Sequence, residues 1–411
     1  MIKAILIITT GWLLGMQMLQ AQMPVQQGQW RALLHREDGQ QIVFSYELSW
    51  QKNKPVIHVL NAGERLLVTD IRAAGDSVFI NMPFFESQFR ARIYSKDSIT
   101  GVWIKATATK MIEMPFTATA RNTSRFVAAK GAAAANISGK WAVQFYKQGN
   151  VPAAAIGVFT QSDNKVTGSI LTPTGDYRYL EGVVTGDSLV LSTFDGSHAF
   201  LMTAAVGKDK ISNGAFYSGP AGVQQWQAVR NDTATLPDLA AMYLKAGEEG
   251  YLNFKYKDLD GKEVGINDAG FKNKVVIIQL MGSWCPNCMD ETAFLSEFYK
   301  KNKQRGVEII ALAYEYTTDA ERSRSSLLSF QKRFGVTYPI LNTGVAVTDP
   351  QRTEKTLPQC TPIKSFPTSL ILDKKGKVRK IDTGFFGPGT GAYYTAYKEG
   401  LEKLVNSLLA E

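Results

Sequence analysis

The chain has 411 residues, 45% of them hydrophobic and 20% charged. That is enough apolar content for two or three domains with cores of their own, and it excludes a disordered chain or a disulfide-stapled miniature. The net charge of +9 comes from Lys and Arg scattered among acids, as in Asp373-Lys374-Lys375-Gly376-Lys377, so there is no basic block and no nucleic-acid motif.

Residues 1–21 carry Lys3, an uncharged and mostly apolar run from Ala4 to Leu19, and small Ala21 before Gln22. This reads as a secretory signal peptide cleaved after Ala21, which predicts a periplasmic or otherwise exported protein. A retained membrane anchor is the alternative, although the run is short for a bilayer. No Cys follows the run, which argues against a lipid anchor.

From residue 22 to 228 the pattern is short extended stretches broken by Gly, Asp and Asn. Val56–Leu60, Ser77–Met82 and Ser188–Ser192 read as strands, and Ser162-Asp163-Asn164 and Thr174-Gly175-Asp176 as turns. Gly28-Gln29-Trp30 is echoed by Gly139-Lys140-Trp141, and Gly75-Asp76-Ser77 by Gly186-Asp187-Ser188, each 111 residues later. The repeat predicts a duplicated antiparallel β module, 22–127 and 139–228, joined by an Ala-rich linker over 128–138. Trp50 and Trp103 are candidate aromatic contacts for a ligand of these modules, although a Trp in a β module is more often core. A helical linker, with an amphipathic helix over Asp232–Leu244, is expected across 229–250.

The character changes at 251–411. Asn253–Asp258 and Glu263–Ile266 flank the turn signal Asp260-Gly261, and Val275–Met281 is a continuous apolar strand suited to burial on both faces. Trp284-Cys285-Pro286-Asn287-Cys288 follows at once. Helical spacing over Met289–Lys303 and Glu321–Phe334 encloses a second buried strand, Val307–Ala313. Tyr338–Leu341 is extended, Ser369–Leu372 and Val378–Phe385 form a hairpin, and a helix closes the chain over Tyr394–Leu409. This order predicts an α/β domain with a central sheet covered by helices, and a site at the carboxyl end of strand 275–281.

The chemistry lies in the two-residue spacing of Cys285 and Cys288. At a helix start the first thiol faces solvent and the second lies inside, close enough to close a disulfide. Helix-terminal N–H groups favour the thiolate, lowering the attacking thiol from about 8.5 toward roughly 4 to 7.5. Cys285 is therefore the expected nucleophile and Cys288 the thiol that resolves the mixed disulfide. Pro286 suits the first helical turn, where a missing N–H costs little, and Asn287 leaves that turn uncharged. Trp284 shields one side of the thiols. No metal or cofactor is implied. A lone CxxC is half a zinc site at most, and His35, His58 and His198 all lie in the β-rich half, outside any ligand motif. Gly387-Pro388-Gly389-Thr390-Gly391 reads as a surface loop at the rim of the site, without the Lys of a phosphate loop. Cys360 is odd, and a reduced, partly buried core thiol is the expected reading.

These residues carry a resemblance. The strand before Trp284-Cys285-Pro286-Asn287-Cys288, the strand 307–313, and Phe366-Pro367-Thr368 leading into Ser369–Leu372 are similar to the thioredoxin superfamily, in its secreted TlpA-like and ResA-like branch of disulfide reductases. The resemblance covers 251–411 and leaves the β-rich region uncovered. It implies that Pro367 is cis and opposes the CxxC, where the adjoining backbone edge, with Phe366 and Thr368, pairs with an extended substrate. It also implies that Glu291 sits near the buried thiol, where a half-buried carboxyl has a raised pKa and exchanges a proton with Cys288. Asp290 is the competing carboxylate and should point elsewhere. Ala293 stands where the family often has Pro, which puts the usual helix kink in doubt. The implied activity is reduction of disulfides in exported proteins, with an exported or membrane-bound electron donor restoring the dithiol. A thiol peroxidase is the rival enzyme, but that family expects Thr at the position of Gly282. A binding protein whose β modules carry the function is the non-enzyme alternative.

Overall fold

The computed structural model describes residues 23–83, 85–126, 131–147, 149–239 and 241–411. The expected signal peptide, 1–21, and residues 128–130 of the Ala-rich linker lie outside them.

Nine antiparallel strands form the first sheet: β1 (Gly28–His35), β2 (Gln41–Gln51), β3 (Lys54–Asn61), β4 (Glu64–Val68), β5 (Asp70–Ala74), β6 (Ser77–Asn81), β7 (Ser87–Ser95), β8 (Ser98–Ala106) and β9 (Met111–Thr119). Nine more form the second: β10 (Gly139–Lys147), β11 (Val151–Ser162), β12 (Lys165–Thr172), β13 (Gly175–Asp176), β14 (Leu180–Thr185), β15 (Ser188–Phe194), β16 (Ala199–Val206), β17 (Lys210–Ser218) and β18 (Gly222–Arg230). Every strand of the first set has a counterpart about 111 residues later, so the β-rich region is a duplication. Both sheets are meanders in which the first strand pairs with the last, β1 with β9 and β10 with β18. In the second, β11 also pairs with β12, which completes a ring and removes the free edges.

The repeated residues do the same work in each copy. The indole N–H of Trp30 donates to the Gln26 carbonyl at 2.9 Å and that of Trp141 to the Ile137 carbonyl at 2.8 Å, with both rings fully buried. Gly28 and Gly139 take φ of +109° and +115° where the chain enters the sheet, a conformation that disfavours any side chain. Trp103 is core, with its N–H on Ser87 Oγ at 2.8 Å, whereas Trp50 is half-buried on a surface cavity of about 750 Å³ beside β5. The modules pack on each other directly, with Phe44 stacked on Phe194 at 4.2 Å between ring centroids.

The C-terminal sheet runs in the order β20–β19–β23–β22–β21–β24–β25. Its strands are β19 (Lys255–Asp258), β20 (Glu263–Gly265), β21 (Val275–Met281), β22 (Val307–Ala313), β23 (Ile340–Asn342), β24 (Thr368–Leu372) and β25 (Val378–Thr383). The helices are α1 (Pro286–Asn302), α2 (Ala320–Phe334), α3 (Arg352–Thr356) and α4 (Ala392–Ala410). All seven residues of β21 are buried, because helices cover both faces of a strand that pairs in parallel with β22 and antiparallel with β24. Each buried Val, Ile or Leu there contributes roughly 1.5–3 kcal/mol, which fixes the strand that presents the CxxC. α1 runs unbroken past Ala293, so the kink that a Pro would impose is absent.

The helical linker expected over 229–250 has no helix among its described residues. Pro237 breaks the pattern, and residues 242–245 run extended along the α/β domain. Their backbone N–H groups are taken by that domain: Met242 by Thr383 Oγ1, Tyr243 by Thr361 Oγ1 and Lys245 by the Gln359 carbonyl. Tertiary hydrogen bonds thus replace those that a helix would have formed within itself.

Candidate redox site

Cys285 is the N-cap of α1 and Pro286 its first residue, so the helix starts between the two thiols. The backbone N–H of Cys288 donates to Cys285 Sγ at 3.1 Å, placing a helix-terminal donor on the sulfur that would carry thiolate charge. The two cysteines form a disulfide, with Cα atoms 5.2 Å apart. Cys288 has no exposed surface. Cys285 was expected to face solvent, but only 4% of it is exposed.

The opposite rim is the Phe366-Pro367 loop, whose peptide bond is cis. The Phe366 carbonyl lies 3.5 Å from Cys285 Sγ, and Thr368 Oγ1 spans the loop to the Ser365 carbonyl at 3.0 Å. Trp284 is fixed by its N–H on the Tyr314 carbonyl at 2.8 Å, stacks on Tyr316 and meets Phe366 edge-on. A Cβ at Gly282 would stand 2.1 Å from the Trp284 ring nitrogen, so Thr does not fit there without moving the indole.

Two carboxyl groups lie buried beneath this rim. Glu291 is one helical turn beyond Cys288 and accepts from Tyr397 OH at 2.8 Å, Gln279 Nε2 at 2.8 Å and Ser369 Oγ at 2.9 Å. Burial pushes it up to about 7 against those three donors. Glu315, two residues past β22, accepts from Ser283 N at 2.8 Å and Ser283 Oγ at 2.6 Å, and burial pushes it to about 7 as well. An ionisable residue just past a buried strand was a legible signal for Glu315. The donors to Glu291 carried none, because Gln279 and Ser369 lie within apolar strands and Tyr397 in the last helix.

Asp290 points away from the thiols, as expected, but it is not solvated. It is held by Arg178 of the second β module, at 2.8 Å to Nε and 2.9 Å to Nη2. Arg178 also reaches Asp195 at 2.9 Å and Glu64 of the first module at 2.6 Å. Burial opposes its charge, and the carboxylates of Asp290, Glu64 and Asp195 more than offset that, raising its pKa well above the usual value. The 387–391 loop reaches the surface at Gly391, but its earlier residues are also part of this junction. Gly387 N donates to Asp176 Oδ2 at 2.6 Å, and a Cβ at Gly389 would stand 2.5 Å from the Arg178 carbonyl, which is why Gly recurs there. No spacing rule joins Arg178 to Asp290 across 112 residues.

Cys360 is buried and free, pairs backbone to backbone with Leu244, and is pushed to about 11 by burial. It lies in a core cluster that does not include the pair.

A helix-capping CxxC facing a cis-Pro loop, on a mixed sheet covered by helices, defines a thioredoxin-like redox domain. The comparisons agree. The Redoxin family model matches residues 245–396. Thiol-disulfide oxidoreductase ResA of Bacillus anthracis is 34% identical over 126 residues, covering 31% of this chain and 63% of that protein. ResA of Geobacillus kaustophilus is 30% identical over 156 residues, covering 38% and 74%. A solved structure of a putative thiol:disulfide interchange protein DsbE from Chlorobium tepidum is 20% identical, with a TM-score of 0.31 over 41% of this chain and 99% of that one. Through its C-terminal domain the chain belongs to the thioredoxin superfamily, in its ResA/TlpA-like branch, and the β-rich region lies outside that likeness. The chain spans 63% of the length of the Bacillus relatives that are 34% identical to it.

Proposed function

We propose that the chain is an exported protein-disulfide reductase that cycles between the Cys285–Cys288 disulfide and dithiol. The observation that carries this reading is the Cys288 N–H on Cys285 Sγ, a donor that would stabilise negative charge on the outer sulfur in the reduced protein. In the reduced protein the Cys285 thiolate attacks one sulfur of a substrate disulfide. That S–S bond breaks, one substrate thiolate leaves and takes a proton, and a mixed disulfide remains.

Cys288 then gives its proton to the Glu291 carboxylate and attacks Cys285 Sγ. The second substrate thiol departs, two electrons have passed to the substrate, and the Cys285–Cys288 disulfide is re-formed. An exported or membrane-bound dithiol donor restores the reduced pair. Pro367, with Phe366 and Thr368, offers the backbone edge on which the substrate chain lies, and Pro286, Asn287 and Trp284 shape the approach to Cys285. Export rests on the signal-peptide reading of residues 1–21. A peroxidase is disfavoured because Trp284 fills the space that Thr would need at position 282.

Trapping with Cys288→Ser tests the reading. Mixed disulfides through Cys285 should accumulate with exported proteins and should be absent from the Cys285→Ser variant. Oxidation of the reduced wild type by peroxide faster than by any protein disulfide would sink it.

A further inference from the structure

The reductase reading gives no role to the turn of the second β module that lies on the rim of the pair. Thr174 accepts from Ser365 Oγ at 2.8 Å, two residues before Pro367. Asp176 accepts from Asn287 Nδ2, with its carbonyl and Oδ2 both at 3.3 Å, and from Gly387 N at 2.6 Å. The turn therefore touches the start of α1 and the cis-Pro loop, the two segments that contact Cys285, and also the loop after β25. Gly175, at φ +140°, brings the chain as close as backbone can come: a Cβ there would stand 2.9 Å from Asn287 Oδ1 and 3.4 Å from the Phe385 carbonyl. Arg178, 2% exposed, pins the end of the turn to carboxylates from both β modules and from α1. A turn held by a buried network of that kind is a fixed part of the site, since breaking one buried ion pair costs several kcal/mol.

We propose that residues 174–178 form a fixed wall of the substrate groove, which admits disulfides carried on slender, extended polypeptide and excludes those on folded protein surfaces. The proposal rests on the reductase reading and supplies its substrate class. The exchange itself is unchanged: the wall governs which sulfur reaches Cys285.

Two measurements test it. In the first, reduction rates are compared for a short cystine-bridged peptide and for a folded protein with a surface disulfide, using wild type, Gly175→Leu and Asp176→Ala. The variants should raise the folded-to-peptide rate ratio by about tenfold or more, roughly 1.4 kcal/mol of relieved discrimination. An unchanged ratio in a variant that still reduces the peptide overturns the wall. The second measurement does not depend on those variants folding or on turnover. With Cys288→Ser and Cys360→Ser leaving Cys285 as the lone thiol, its alkylation by N-ethylmaleimide is compared with that by a polymer-linked maleimide, native and in denaturant. The native protein should discriminate by size far more steeply than the denatured chain, and equal discrimination overturns the wall. Steep discrimination in a wild type that reduces neither disulfide would leave the wall standing and remove the reductase reading instead.

Discussion

Glu291 links the site to pH. Its pKa rises from the ordinary 4.5 to about 7 on burial, so the folded protein holds a proton that the unfolded chain releases between those values. A raised folded pKa means that the stability contributed by the protonated group is complete below about 4.5 and is lost as pH rises through 7. The full loss is on the order of 3 kcal/mol. Glu291→Gln keeps the shape and the capacity to hydrogen bond but cannot ionise. The oxidised variant should therefore gain stability over wild type as pH is raised from 5 to 8, measured by urea unfolding at each pH. A parallel shift at both pH values would show that the carboxyl does not titrate in this window. If Cys288 passes its proton to Glu291 as proposed, the same variant in the reduced protein should slow release of the mixed disulfide while leaving the first alkylation of Cys285 nearly unchanged, because only the second step would use position 291.

Among the elements, the extended segment 242–245 replaces the expected helix. Its backbone is bonded to 359–361 and to Thr383, and Cys360 lies beneath it with no exposed surface. If this segment is part of the folded core and not a tether, Cys360 should open only with global unfolding. In reduced protein at pH 8, Cys285 should be alkylated quickly and Cys360 at least about a thousandfold more slowly, because it combines burial with a pKa near 11. Peptide mapping of labelled thiols across a urea series checks this. Labelling of Cys360 well below the unfolding midpoint would show that the segment detaches by itself.

On the scale of the whole molecule, the duplicated β modules and the redox domain meet at one buried guanidinium. Arg178 balances Asp290 of α1, Asp195 of the second module and Glu64 of the first, and burial raises the pKa of Glu64. Arg178→Met keeps most of the side-chain volume and leaves Asp290 and Glu64 without their cation, while Asp195 keeps His198 at 3.0 Å. The cost should be roughly 3–5 kcal/mol at pH 8 and clearly smaller at pH 5, because acids without a cation have raised folded pKa values and are protonated more readily as pH falls. Equal losses at the two pH values would mean that Arg178 acts through packing alone. The same junction bears on whether 22–228 and 245–411 fold apart: Arg178 would keep Glu64 and Asp195, and only its pair with Asp290 would be lost to water.

Local signals in the sequence were enough for the two central strands of the α/β domain, the duplication and the thiol pair, whereas other strand ends differ by a few residues and Gly175–Asp176, expected as a turn, form β13. Val275–Met281 and Val307–Ala313 match β21 and β22 residue for residue, because a strand buried on both faces is apolar without interruption and stops where that run stops. The two copies of Gly-x-Trp were legible because one backbone turn and one buried indole need the same residues each time. Cys285 and Cys288 were legible because a disulfide between neighbouring helix positions requires that spacing. Tertiary structure alone decided how wet the site is and what borders it. The buried Asp290, the role of the 387–391 glycines and the extended path of 242–245 depend on partners more than a hundred residues away. Those contacts are isolated hydrogen bonds and ion pairs between elements far apart in the chain. They have no period or spacing along the chain, so only the folded arrangement brings their two halves together.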